Sequence, residues 1–139
     1  MRAIAREGGQ IYVGGVFTTI GGVTRNHVAC LNEGVNTPTA WDPGANDLVD
    51  ALAVTPTLVY AGGTFTGIGG KSRKYLAALD RGTGVCDEWD PQVSDWVQAM
   101  IARDGVLYVG GSFKMIGIED RSFIAAFSLQ DGSLTNWNP

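Results

Sequence analysis

The chain has 139 residues, 45% of them hydrophobic and 17% charged, with a formal net charge of −4. This length fits one domain with its own core, and an acidic chain without a basic run does not favour nucleic-acid or membrane partners. Residues 1–10 lack the apolar stretch of a secretory signal. We therefore expect a cytoplasmic protein if the chain is complete, and an extracellular one if it is a fragment of a larger repeat protein.

The sequence repeats at intervals of 48 residues without a gap. The repeat divides the chain into unit 1 (1–48), unit 2 (49–96) and unit 3 (97–139). A glycine pair and a tryptophan recur in every unit, at Gly14-Gly15, Gly62-Gly63, Gly110-Gly111, Trp41, Trp89 and Trp137. A fixed period of this size is typical of solenoids and propellers.

Each unit predicts short strands separated by turns, and no segment has a helical period. In unit 2 the predicted strands are Val49–Val54, Leu58–Phe65, Lys74–Asp80 and a fourth that ends at Trp89. The third strand carries apolar residues on both faces, which indicates stacked sheets. Four antiparallel strands with a glycine pair, which permits close backbone approach, and a tryptophan, which fills the space between sheets, predict an all-β propeller blade.

Two segments carry a resemblance to a known family. "IYVGGVFTTIGGVTRNHVACLN" and "LYVGGSFKMIGIEDRSFIAAFS" resemble the delta-60 repeat of bacterial β-propellers, which shares its strand-then-Gly-Gly feature with kelch propellers. Unit 3 departs from the pattern at Ile118, where units 1 and 2 have glycine, and at Asn138, where they have aspartate. The resemblance implies a propeller fold and implies no activity.

Propellers usually have four to eight blades, so three blades of this length do not close a ring. The first and last blades would expose apolar faces, and such surfaces drive association. We therefore predict a homodimer in which two chains form one six-bladed ring. Two alternatives stay open, namely a β-trefoil, which would be a carbohydrate-binding lectin, and a fragment of a longer repeat protein.

Several side chains are candidates for a binding site. Arg25, Arg73 and Arg121 recur in one loop, where they form either an anion-binding ring or structural contacts to loop carbonyls. The first strands are expected to line the channel, with Arg2, Asp50 and Gln98 at their variable positions. Trp96 is a candidate anchor for a partner if it is exposed, and packs between blades if it is not.

The sequence predicts no catalytic centre, cofactor or metal. His27 is the only histidine, and the spacing of the linker acids does not match an EF-hand loop. Cys30 and Cys86 occupy different repeat positions and are predicted to be free thiols. We expect a non-catalytic binding or scaffold module, with a small-molecule, glycan or protein ligand at the channel mouth or on the loop face. The enzymatic alternative is a hydrolase that uses paired Asp50 carboxylates in the channel.

Overall fold

The computed structural model describes residues 1–139, and the protein consists of β-strands, turns and loops. Fifteen strands form three three-stranded sheets and three two-stranded hairpins, all antiparallel. No helix has the length and hydrophobicity needed to cross a membrane. The prediction of an all-β chain without helices is confirmed.

The strands follow the same order in all three units. Unit 1 contains β1 (Ala3–Glu7), β2 (Gln10–Gly14), β3 (Thr19–Ile20), β4 (Val23–Thr24) and β5 (Val28–Asn32). Unit 2 contains β6 (Val49–Val54), β7 (Leu58–Gly63), β8 (Gly67–Ile68), β9 (Lys71–Ser72) and β10 (Leu76–Asp80). Unit 3 contains β11 (Val97–Arg103), β12 (Val106–Gly111), β13 (Met115–Ile116), β14 (Glu119–Asp120) and β15 (Ile124–Ser128).

Each unit builds one main sheet, in which its second strand lies between its first and its last. We call these sheet 1 (β1-β2-β5), sheet 2 (β6-β7-β10) and sheet 3 (β11-β12-β15). Asp104 and Gly105, with φ angles of 51° and 79°, connect β11 to β12. Positive φ at both central residues is typical of the tight hairpin turn that matches strand twist.

The predicted strand bounds agree with the structure except near loops. The first predicted strand of unit 2 is confirmed as β6, whereas β7 ends at Gly63 and β10 begins only at Leu76. Tyr75 has a φ of 69°, so it interrupts the extended backbone before β10. The turn predicted between the second and third strands of unit 2 contains an additional short hairpin, β8–β9.

The prediction of four full strands per unit is wrong at the fourth strand. Each sheet has three strands, and the segment after the third makes only one isolated bridge, such as Leu79 with Cys86 in unit 2. The segment turns at once, because Asp80 Oδ1 accepts hydrogen bonds from the N–H groups of Gly82 and Thr83. These local side-chain bonds compete with a regular ladder.

The three main sheets stack in chain order, and β6 contacts both β1 and β11. One apolar cluster fills the seam between sheets 1 and 2, and a second fills the seam between sheets 2 and 3. Sheet 2 is therefore buried on both faces, which explains why β7 and β10 are almost continuously apolar.

The glycines and tryptophans of the repeat form both seams. A Cβ added to Gly14 would lie 2.7 Å from Val49 Cγ1, and one added to Gly62 would lie 2.5 Å from Val97 Cγ1. Only glycine permits this approach at either seam.

The repeated tryptophans bind across the seams. Trp41 Nε1 donates across the first seam to the Asp80 carbonyl at 3.0 Å, and Trp89 Nε1 donates across the second to the Gly132 carbonyl at 2.8 Å. Each indole also meets a tyrosine of its own unit edge to face, a favourable aromatic geometry. The repeated tryptophan therefore ties each sheet to the sheet that follows it.

Candidate functional site

The polar positions predicted to line a channel lie at or just before the start of the first strand of each main sheet. The ladder between β6 and β7 shifts register between Val49 and Ala51, and the one between β11 and β12 shifts between Val97 and Ala99. Asp50 and Gln98 are the extra residues of these two bulges. A bulge redirects a side chain and often occurs beside a site.

The structure brings three of the predicted residues together. Trp96 Nε1 donates to Asp50 Oδ2 at 2.7 Å, and Arg2 Nε lies 3.9 Å from Asp50 Oδ1. The Asp50 side chain is only 6% exposed, whereas that of Arg2 is 53% exposed. Gln98 is also exposed. Asp50 is thus held by its neighbours, and Arg2 is the polar group of this cluster that a ligand can reach, while Gln98 is exposed and forms no hydrogen bond or ion pair with the cluster.

Replacing Asp50 with alanine is expected to lower the free energy of unfolding by about 1–3 kcal/mol, because the indole N–H of Trp96 loses its acceptor. Asp50→Asn keeps an acceptor oxygen and should lose much less. Urea unfolding followed by far-UV circular dichroism measures both values. Equal losses in the two variants would show that this hydrogen bond does not stabilise the fold.

The three repeated arginines bind the chain itself. Arg73 donates from Nε to the Trp89 carbonyl and from Nη2 to the carbonyls of Asp87 and Glu88, at 3.1–3.2 Å. Arg25 and Arg121 bind the segments that follow β5 and β15 through Nη2 alone, which donates to the carbonyls of residues 39 and 135, and the Nε of each is buried without a partner. All three side chains are largely buried. These contacts hold in place the segment after the third strand, which has no strand ladder. They are the structural contacts to loop carbonyls that the sequence offered as the alternative to an anion-binding ring.

Arg73→Met should destabilise the chain by about 1.5–3 kcal/mol, since four carbonyls, including that of Ser72, lose a charged donor. Arg103→Met is the matched control, because Arg103 is exposed and contacts only its neighbour Asp104 as an ion pair. Urea unfolding compares the two variants. A similar effect of both substitutions would contradict the role assigned to Arg73.

The two thiols are buried and free. Burial raises the pKa of Cys30 and of Cys86. The contribution of these thiols to the free energy of unfolding is therefore fully present below the pKa of the unfolded thiols, about 8.5. It is lost as the pH rises through their folded-state pKa. Burial also raises the pKa of Tyr12, which adds to the alkaline loss.

Cys30→Ala should reduce the fall in the free energy of unfolding between pH 7 and pH 10, because one group with a raised pKa is gone. Alanine stands at the same repeat position in units 2 and 3, as Ala78 and Ala126, so the substitution fits the sheet. Urea titrations at the two pH values give the difference. An unchanged alkaline loss would mean that the Cys30 thiol does not contribute to it.

No group of three or more His, Cys, Asp or Glu side chains is placed to hold a metal ion. His27 Nδ1 lies 3.0 Å from the Gly15 carbonyl, and the ring belongs to the same repeat position as Tyr75 and Phe123. All three residues have φ between 66° and 72°. This position shapes the chain before the third strand of each sheet.

We call the face of a main sheet that points toward the next sheet in chain order its leading face, and the opposite face its trailing face. The leading face of sheet 3 and the trailing face of sheet 1, at the two ends of the stack, are uncovered. The leading face of sheet 3 carries Ala99, Ile101, Tyr108, Gly110 and Ile124 around a cavity of about 360 Å³, and Trp137 meets Tyr108 edge to face. The trailing face of sheet 1 carries Met1, Ile4, Ile11, Val13, Ile20 and Leu31 around one of about 240 Å³. At the same repeat position, Trp41 is 6% exposed and Trp137 is 43% exposed. The leading and trailing faces thus repeat surfaces that are covered within the chain.

The sequence did not predict the contact between Asp50 and Trp96, because these residues stand at opposite ends of unit 2, 46 residues apart, and belong to no shared motif. It also did not predict Arg81, which donates from Nε to the Tyr12 hydroxyl at 2.9 Å and from Nη2 to the Glu7 carbonyl at 3.1 Å across the first seam. Units 1 and 3 have Glu33 and Leu129 at this position. Such a departure from the repeat is the only sequence signal that distinguished Arg81.

Comparison with known proteins agrees with this architecture over a short stretch. Residues 9–34 match the family described as a domain of unknown function (DUF5122) beta-propeller. No curated protein matches the chain. The match covers β2 through β5 and supports assignment to a β-propeller repeat family, in agreement with the stacked antiparallel sheets.

Proposed function

We propose that the chain is a non-catalytic binding or scaffold module, built as three propeller blades, that pairs with a second copy to form a six-bladed ring. The observation that carries this proposal is that the chain exposes one leading face, on sheet 3, and one trailing face, on sheet 1. Faces of these two kinds already pack against each other twice within the chain, at the first and second seams. In a pair with two-fold symmetry, each leading face meets the trailing face of the other copy. Both apolar faces are then covered at once.

The glycine position of the leading face supports this fit. Gly14 and Gly62 pack under Val49 and Val97, the first residues of the following sheets. An added Cβ on Gly110 would meet only the Phe123 carbonyl, at 3.7 Å. Met1 has the repeat position of Val49 and is 73% exposed. In the ring, Met1 of the second copy would pack over Gly110.

The tryptophan of the leading face has a matching acceptor. Trp41 and Trp89 each donate to a carbonyl of the next sheet. The equivalent carbonyls on the trailing side of unit 1 are those of Asn32 and Asn36. Trp89 also meets Phe127 edge to face at 5.3 Å, and Leu31 has the repeat position of Phe127. Trp137 would therefore gain both an acceptor and an apolar neighbour.

The ring would present each of Arg2, Asp50 and Gln98 twice around its channel. Since Asp50 is held by Trp96, the reachable groups would be cationic and amide side chains, which suits a small-molecule, glycan or protein ligand with acceptor groups. The ladders within each main sheet join strands of one unit only, which supports blades over a β-trefoil barrel.

Sedimentation equilibrium tests the proposal directly. The expected mass is twice the 14.7 kDa of one chain, without larger species, since both seams close within the pair. A single-chain mass at tens of micromolar, or an open series of larger species, would refute the six-bladed ring.

A further inference from the structure

We propose that the hairpin β3–β4 of unit 1 is a docking groove for an extended peptide with the chemistry of the chain's own linkers. The linkers are residues 43–48, at the end of unit 1, and residues 91–96, at the end of unit 2. Each linker lies along the hairpin of the unit that follows it, and the hairpin of unit 1 carries no such segment.

In unit 2 the linker accepts hydrogen bonds from four N–H groups of the hairpin region, of which those of Thr66 and Gly67 share Asn46 Oδ1. Gly69 donates to the Pro43 carbonyl at 2.8 Å, Thr66 to Asn46 Oδ1 at 2.9 Å, and Thr64 to the Leu48 carbonyl at 3.1 Å. The Asn46 N–H donates back to the Gly67 carbonyl. The linker thus binds mainly by backbone groups, with Asn46 as the one polar side chain.

Unit 3 repeats this pattern with a different linker sequence. Gly117 donates to the Gln92 carbonyl at 2.9 Å, Lys114 to Ser94 Oγ at 3.1 Å, and Ser112 to the Trp96 carbonyl at 2.9 Å. Serine replaces asparagine as the polar side chain. The groove therefore accepts either an asparagine or a serine oxygen at this position.

An apolar residue anchors each linker beside its polar one. Ala45 forms a bridge with Ile68, and Val93 forms one with Ile116, and all four side chains are buried. The recognised peptide is therefore extended, with Ala or Val followed by Asn or Ser. Strand addition of this kind takes affinity from main-chain hydrogen bonds and specificity from side-chain pockets.

Within residues 1–139, the hairpin of unit 1 has counterparts of three of these donors and no linker beside them. The N–H groups of Val16, Thr18 and Gly21 have the repeat positions of these three donors, and none of them bonds to another group of the chain. Ile20, the counterpart of Ile68, is only half-buried. In the proposed ring, Pro139 of the second copy would stand where Pro91 stands, which leaves the N–H groups of Val16 and Thr18 open.

The probe is the capped peptide Asp-Pro-Gly-Ala-Asn-Asp-Leu, residues 42–48, added to the ¹⁵N-labelled full chain. We expect saturable shifts of the Val16 and Thr18 amide resonances, with affinity about tenfold lower for a peptide carrying Ala45→Asp and Asn46→Ala. Ile20→Ala should weaken binding of the unchanged peptide.

The titration is repeated with the Ile101→Asp chain, whose substitution lies on the leading face of unit 3, so the result does not depend on ring formation. Shifts of the Val16 and Thr18 amides in both chains would support the groove whether or not the chain pairs, and the Gly21 amide is expected to shift only in the Ile101→Asp chain, where no Pro139 of a second copy stands beside it. Absence of shifts at millimolar peptide, equal shifts with the altered peptide, or concentration-dependent protection of the Val16 and Thr18 amides without peptide would overturn the proposal.

Discussion

Ile101→Asp is expected to convert the paired form of the chain into monomers. Ile101 is 57% exposed on the leading face, whereas its counterpart Ala53 is buried within the second seam. A two-fold pair contains two copies of the new seam, and each copy would lose about 1.5–3 kcal/mol of apolar burial. The dimer Kd should therefore rise roughly 10²–10⁴-fold, as measured by sedimentation velocity across a concentration series.

Ile4→Asp should have the same effect from the other side. Ile4 is 66% exposed on the trailing face, and a ring requires both faces. Ile118→Asp is the matched control, because Ile118 is 91% exposed between β13 and β14 and belongs to neither face. If Ile118→Asp dissociates the pair as strongly as the other two, or if only one face is sensitive, the two-fold ring is wrong.

Gly62→Ala is expected to lower the free energy of unfolding by about 1–3 kcal/mol, because the added methyl group overpacks the second seam. Its Cβ would lie 2.5 Å from Val97 Cγ1 and 2.7 Å from Met100 Cε. Gly14→Ala should act likewise at the first seam, where the Val49 carbonyl oxygen lies 2.9 Å from the added atom. Urea unfolding of each variant measures the loss.

Gly110→Ala provides the control within the same repeat position. No φ in the left-handed region occurs at these three glycines, so their backbones accept alanine equally well. The Cβ on Gly110 has no contact closer than 3.7 Å, and alanine there should be neutral or stabilising by up to about 1 kcal/mol. The comparison is made in the Ile4→Asp chain, which removes any effect of pairing. Equal destabilisation at all three positions would show that the seams do not select glycine.

The coarse architecture was predictable from the sequence, because it depends on local patterns that repeat. Period-two alternation and turn residues predicted the core of each sheet, and β6 has the predicted bounds. The glycine pair and the tryptophan predicted close packing between sheets, which both seams display. Prediction failed at the fourth strand, where side-chain bonds from Asp80 and Arg73 to the backbone replace a ladder.

The candidate site was predictable as a set of positions but not as a set of contacts. The repeat placed Arg2, Asp50 and Gln98 at equivalent positions at the start of the first strand of each unit. It did not reveal that Trp96 binds Asp50, because that bond depends on a bulge and on the distance between two stacked sheets. The three repeated arginines left two alternatives open, and only the position of backbone carbonyls around each guanidinium shows what they bind.

The 48-residue period was sufficient to establish three equivalent β units, since hydrophobic alternation and glycine placement act within a few residues along the chain. Folding in three dimensions determined which equivalent surfaces are covered and which are not. Gly14 and Gly62 lie under a following strand while Gly110 does not, and the hairpins of units 2 and 3 hold a linker while that of unit 1 does not. Equivalent residues differ here because burial depends on what packs against a residue, which no pattern within its own unit encodes.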